Sequence, residues 1–142
     1  MADNPSTIDA LNELLAAHKR SLLLRAMETS PFVSPADAAL AGTLRHIIAE
    51  ETEHADWLVE AIIERGGLPV SALPDPRTAS IHYVDLRYLL PRLVQDERRI
   101  LRASEAAAER IEDPAARDLI SRIAERHRRH LDALGAAAPV PA

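Results

Sequence analysis

The sequence contains no cysteine, and this absence excludes several kinds of chemistry at once. Without thiols the chain forms no disulfide, binds no zinc through Cys, holds no Cys-ligated iron–sulfur cluster and has no Cys nucleophile. Any metal site must therefore be built from His and carboxylate side chains. Aromatic residues are also scarce, at 3% of the chain, which disfavours an aromatic-rich β-sandwich.

The remaining composition favours helices in a single domain. Of the 142 residues, 47% are hydrophobic and 27% are charged, and Ala, Leu, Glu and Arg are all good helix formers. No apolar run approaches the ~18 residues needed to span a bilayer, and the first residues lack the pattern of a secretory signal. The net charge of −5 disfavours nucleic acid as a partner. We therefore expect an all-α protein in the cytoplasm, with neither nucleic acid nor a membrane as a partner.

Prolines and glycines divide the chain into four predicted helices, because both residue types interrupt helical periodicity. The helices are predicted over residues 6–29, 34–65, 83–111 and 114–134. Residues 68–80 are rich in turn-forming residues and could span roughly 40 Å when extended, which suits a long crossover between parallel helices 2 and 3. We expect one four-helix bundle over residues 1–135 and a flexible C-terminal tail over residues 136–142.

Each predicted helix has an apolar stripe that is interrupted by polar residues. Positions three or four apart lie on one helix face, and the core-facing stripe should hold apolar side chains. Four of the six histidines in the chain interrupt these stripes instead. Together with two glutamates they give six interior polar positions: His18, Glu51, His54, Glu97, His127 and His130.

The spacing of these residues suits metal binding. Glu51 and His54 are three residues apart on one helix face, and His127 and His130 repeat that spacing. A buried carboxylate without a partner costs several kcal/mol, so each interior glutamate must face a cation, either a metal ion or an imidazolium. We therefore predict that the six positions are metal ligands.

Two alternatives stay open at this point. The two glutamates and protonatable histidines could form a charge-balanced polar core that holds no metal. Asp96 also lies near the stripe of the third helix and competes with Glu97, although its shorter side chain reaches less far. Pro91 should kink this helix or mark its true start.

One segment of the second helix carries a family resemblance. Residues 48–56 read IAEETEHAD and are followed by Gly67-Leu68-Pro69, while the first helix contains Leu11-Asn12-Glu13-Leu14-Leu15. These residues resemble the ferritin-like superfamily, especially bacterioferritin and rubrerythrin. The resemblance implies a four-helix bundle that holds two irons between Glu and Glu-x-x-His side chains. His18 then stands where the family has its first Glu, and His127 stands in place of the Glu of a Glu-x-x-His pair.

The resemblance also implies a function. It suggests one or two bound iron ions and oxidation of Fe²⁺ by O₂ or peroxide. Ferritin-like sites usually carry four carboxylates, whereas this set has two, so zinc or manganese is also chemically suitable. Thr52 occupies the position of the haem-binding methionine of bacterioferritin, so haem is not expected. We also expect a homodimer. The alternatives to an iron-oxidising function are a non-redox zinc or manganese protein and a metal-free structural dimer.

Overall fold

The computed structural model describes residues 4–71, 76 and 81–137. Over these residues the chain forms four long helices and one short one. They are α1 (Asn4–Lys19), α2 (Leu22–Arg25), α3 (Ala38–Glu64), α4 (Leu86–Arg110) and α5 (Pro114–Ala137). Short 3₁₀ turns at Ala26–Thr29 and Pro35–Asp37 connect α2 to α3. No helix of the described residues combines the length and the apolar character needed to cross a membrane.

The long helices form an all-α bundle, as predicted. Helices α1 and α5 each pack against both α3 and α4. The C-terminal halves of α3 and α4 contribute Leu58 and Ala107 to the same apolar cluster, and their N-terminal halves contribute Leu44 and Leu93 to another. Helices α3 and α4 therefore run parallel, which requires the long crossover between them. Residues 72–75 and 77–80 of that predicted crossover lie outside the described part of the chain.

The two apolar clusters occupy opposite ends of the bundle. One contains Leu14 and Ile123, and the other contains Leu22 and Leu134. On α3, α4 and α5 the predicted polar positions fall between residues of one cluster and residues of the other, and His18 lies between α1 residues of one cluster and α2 residues of the other. The polar residues are consequently enclosed at mid-bundle by packed aliphatic side chains, which exclude water at both ends.

The first predicted helix is wrong in one respect, because it is broken after Lys19. The Leu22 amide donates to Asp96 Oδ2 at 2.7 Å instead of to a carbonyl one turn earlier. Ser21 caps the new helix, and its hydroxyl accepts the Leu24 amide at 3.4 Å. A carboxylate from another helix thus replaces one intrahelical bond at the break, and α1 ends at Lys19, one residue after His18.

Other helix ends also differ from the prediction. Helix α3 begins at Ala38, after the 3₁₀ turn at Pro35–Asp37, instead of at residue 34. Helix α1 begins at Asn4, and α4 begins at Leu86, so Pro91 lies inside it instead of at its start. Helix α5 continues through Gly135 to Ala137, so the predicted tail begins inside a helix, and residues 138–142 are outside the described part. Gly66, by contrast, has φ of 81° and follows α3, as a helix-ending glycine should.

Candidate metal centre

The six residues predicted from the sequence come together at the centre of the bundle. All six are at most 3% exposed, and four different helices supply them. The stripe periodicity accounts for this, because each residue lies on the same helix face as the aliphatic side chains before and after it. Two groups of side chains have ligand atoms within 4.8 Å of one another. The first group is His18, His54 and His127, and the second is Glu51, Glu97, His127 and His130.

The second group pairs two carboxylates with two imidazoles. Glu97 Oε1 lies 2.5 Å from His127 Nδ1 and 3.1 Å from His130 Nδ1. Glu51 Oε1 lies 3.3 Å and 3.5 Å from the same two nitrogens. Both imidazoles therefore turn their Nδ1 atoms toward both carboxylates, and the four side chains surround one small volume.

The first group consists of imidazoles alone. His18 Nε2 lies 3.1 Å from His127 Nε2. The rings of His54 and His127 are 5.4 Å apart between centroids, and those of His18 and His54 are 6.1 Å apart. His18 Nδ1 is 2.9 Å from the Leu14 carbonyl oxygen, which can only accept, so Nδ1 carries a hydrogen. The other nitrogen of His18 then has a lone pair that faces the cluster.

Burial and charge divide the four imidazoles into two kinds. Burial, together with the neighbouring His127, lowers the pKa of His18 to about 4 and that of His54 to about 2. For His127 and His130 burial also opposes the charged form, but Glu51 and Glu97 outweigh it and raise both pKa values to about 9. At neutral pH, two imidazoles are neutral and two are imidazolium.

The pKa values of the two carboxyl groups are also shifted in opposite directions. Burial and the neighbouring Glu97 carboxylate raise the pKa of Glu51. Burial opposes ionisation of Glu97 too, but the neighbouring Glu51 carboxyl group and the His127 and His130 imidazoles together outweigh burial and lower the pKa of Glu97. Glu97 is therefore the more readily ionised of the two carboxyl groups.

The family comparison agrees with this architecture. The family model for the ferritin-like domain matches residues 8–138, which is most of the chain. The chain belongs to the ferritin-like family. No curated protein matches it. Membership in the ferritin-like family establishes the fold. Because ferritin-like domains usually bind metal, a metal ion at mid-bundle is the first possibility to test.

Unpaired polar atoms test whether a metal would fit this ferritin-like centre. Both oxygens of Glu51, both ring nitrogens of His54 and Glu97 Oε2 are buried without a hydrogen-bond partner among the described residues. Buried polar groups are nearly always paired, so this many unpaired atoms in one cluster is unusual. All are oxygen or imidazole nitrogen, the donor atoms that divalent transition metals accept. The donor set therefore fits a metal ion.

The structure also separates the two candidate acids of α4. Glu97 faces the imidazoles, whereas Asp96 is buried beside the break between α1 and α2 and accepts the Leu22 amide. Asp96 also pairs with Arg99 at 3.2 Å. The longer acid is thus the one inside the cluster, as its reach suggested.

Sequence reasoning missed one residue that touches the centre. Glu50 Oε1 lies 3.3 Å from His130 Nε2 and 3.1 Å from His46 Nε2, and its other oxygen lies 2.8 Å from an Arg126 nitrogen. Glu50 is only half-buried and precedes the stripe residue Glu51. A helical stripe does not mark a residue that reaches the site from its edge.

Proposed function

We propose that this ferritin-like protein binds divalent transition-metal ions at mid-bundle and oxidises bound Fe²⁺ with O₂ or peroxide. The observation that carries the proposal is the set of unpaired buried donor atoms on Glu51, His54 and Glu97. Bound metal ions would satisfy these atoms, whereas no described side chain forms a hydrogen bond with them. The proposed ligands are the six interior residues: His18, Glu51, His54, Glu97, His127 and His130.

The chemistry expected of iron is a balanced electron transfer. Two Fe²⁺ ions lose one electron each, and H₂O₂ with two protons takes up both electrons to give two waters; O₂ with two protons gives H₂O₂ instead. The chain contributes the environment for this reaction. Glu51 and Glu97 supply negative charge, the imidazoles supply neutral donors, and the aliphatic clusters at both ends restrict access of water.

A metal-free polar core is the second candidate, and one observation favours it. With no metal, His127 and His130 as imidazolium ions would pair with the carboxylates of both Glu51 and Glu97, so that two positive charges face two negative charges. Because this arrangement leaves both His54 nitrogens without a hydrogen-bond partner, the metal-free polar core is the second candidate. A non-redox zinc or manganese protein would use the same ligands as the iron protein, so only metal analysis and oxygen consumption separate those two.

The test begins with protein purified without chelator. Metal content is measured first, and the metal-free protein is then loaded with Fe²⁺ under anaerobic conditions and exposed to O₂ or H₂O₂. We expect bound iron and oxidant consumption in the wild type, and loss of both in Glu97→Gln and Glu51→Gln. The matched control is His82→Gln, because His82 is exposed on the segment before α4.

Each result has a clear meaning. Iron binding with oxidant consumption supports the proposal, whereas zinc that iron cannot displace supports the non-redox alternative. Failure to bind any of these metals at micromolar supply contradicts the proposal and leaves the polar core. We also propose a cytoplasmic homodimer, for which sedimentation velocity gives the mass directly; a monomeric mass would contradict the dimer.

A further inference from the structure

The ring of His127 faces two different sets of donors through its two nitrogens. Nδ1 points to the carboxylates, at 2.5 Å from Glu97 Oε1 and 3.3 Å from Glu51 Oε1. Nε2 points the other way, to His18 Nε2 at 3.1 Å. The two nitrogens of an imidazole diverge and cannot bind the same ion. His127 therefore belongs to both of the ligand groups described above.

The imidazole side has the dimensions of a metal site. Two nitrogens 3.1 Å apart, each about 2.0–2.1 Å from one ion, subtend about 100° at that ion, which is close to the tetrahedral angle. His18 is held ready for this role, because its Nδ1 hydrogen is donated to the Leu14 carbonyl and its Nε2 lone pair faces inward. Such a fixed outer hydrogen bond is typical of histidines that bind metals.

His54 completes this group. Its side chain is 0% exposed, and neither of its nitrogens has a hydrogen-bond partner in the described structure. One His54 nitrogen lies within 4.8 Å of ligand nitrogens of both His18 and His127. Three buried imidazoles thus converge without a carboxylate among them, while both carboxylates belong to the other group.

We propose that the centre consists of two unlike metal subsites that share the His127 ring. The inference rests on the proposed function and assigns a different class of ion to each subsite. The tri-histidine subsite is His18, His54 and His127 Nε2; the carboxylate subsite is Glu51, Glu97, His130 and His127 Nδ1. When both subsites are filled, the shared ring binds through both nitrogens and its protons pass to solvent.

The donor atoms decide the selectivity. Three imidazole nitrogens without a carboxylate suit copper and zinc, which accept nitrogen donors readily. Two carboxylates and two imidazoles offer negative charge and oxygen, which suit the harder ions Mn²⁺ and Fe²⁺. Affinity alone would favour copper at either subsite, so the difference between subsites must be measured by removing ligands from one of them at a time.

The experiment uses Cu²⁺ and Mn²⁺ as probes of the full-length metal-free protein. Electron paramagnetic resonance follows both ions: Cu²⁺ reports its imidazole nitrogens, and Mn²⁺ loses its sharp aqueous spectrum when it binds. His18→Gln and Glu97→Gln are compared, since each removes one ligand that the other subsite does not use. His82→Gln is the control, and circular dichroism checks that each variant is folded.

We expect the two substitutions to have opposite effects on the two ions. His18→Gln weakens Cu²⁺ binding at least about tenfold and leaves Mn²⁺ affinity within about threefold of wild type, on the scale of lost ligand interactions. Glu97→Gln has the reverse effect. In the wild type one Cu²⁺ and one Mn²⁺ bind together, and the added Mn²⁺ changes the Cu²⁺ spectrum through the shared ring. His54→Gln repeats the His18→Gln result if that variant does not fold.

Other outcomes overturn this inference without affecting the proposed function. Equal weakening of both ions by both variants means one mixed site, and exclusion of Mn²⁺ by a single bound Cu²⁺ means the same. If neither Cu²⁺ nor Mn²⁺ binds, the proposed function is overturned as well. The two failures are therefore distinguishable in one set of titrations.

Discussion

Replacing Glu97 by Gln tests the electrostatics of the centre most simply, because the change keeps the shape and removes the charge. Glu97 is 0% exposed, and its Oε1 contacts the Nδ1 atoms of both His127 and His130. In the metal-free protein at pH 6, both imidazoles are charged, since their pKa values are raised to about 9. The variant leaves these two buried cations with Glu51 alone.

The expected loss of stability follows from the pKa shifts. A rise from 6.5 to about 9 corresponds to about 3 kcal/mol for each imidazole, and Glu51 and Glu97 share the effect. Removing one of the two carboxylates should therefore cost about 3 kcal/mol, at the low end of the range for breaking a buried ion pair. These raised pKa values stabilise the fold fully below pH 6.5, and the stabilisation disappears as the pH rises through about 9.

The assay is urea unfolding of chelator-treated protein at two pH values. At pH 6 the variant should lose about 3 kcal/mol of unfolding free energy, and at pH 9.5 about 1 kcal/mol or less. Glu53→Gln is the matched control, because Glu53 is 60% exposed on α3 and should change stability by less than about 0.5 kcal/mol. An equal loss at both pH values would contradict this prediction, because the cost of the substitution would then not depend on charged imidazoles.

Three further predictions concern metal binding and the helix ends. Zn²⁺ binding at pH 7 should release the protons that His127 and His130 hold in the metal-free state, so its calorimetric heat should differ between phosphate and Tris buffers; identical heats would contradict this. Asp96→Ala should lower the unfolding free energy by about 1–3 kcal/mol, since a buried amide at the helix break loses its acceptor. Arg99→Ala, which removes only an exposed partner of Asp96, should cost less than about 1 kcal/mol in the same urea experiment. A cost equal to that of Asp96→Ala would contradict the role of Asp96 as acceptor of the Leu22 amide. Asp113→Ala should cost about 1–2 kcal/mol in thermal unfolding, because Asp113 accepts two amides at the start of α5; an unchanged Tm would argue against that cap.

The fold could be predicted from the sequence because its determinants are local. Each long helix shows its apolar stripe directly, and prolines and glycines mark most of its limits. The break after Lys19 could not be predicted, since it depends on Asp96, which is distant in sequence and reaches the Leu22 amide only in the folded bundle. Gly135 misled the prediction, because it lies within α5, and no described glycine other than Gly66 has a positive φ.

The candidate centre shows the same distinction between local and tertiary information. The six interior positions follow from periodicity, because a polar residue in an apolar stripe must be buried when the helix packs. Their division into two groups depends on which way the His127 ring turns, and only tertiary contacts fix that orientation. Glu50 contacts His130 from outside the stripe, so its proximity required the packed structure.

Anomalous diffraction from crystals of the zinc-loaded protein would test the central claim most directly. We expect a zinc peak at mid-bundle, within about 2.3 Å of ligand atoms from at least three of the six interior residues. A zinc ion bound only at the surface, with the His54 nitrogens and Glu51 Oε2 still without hydrogen-bond partners, would contradict metal binding by the six interior residues.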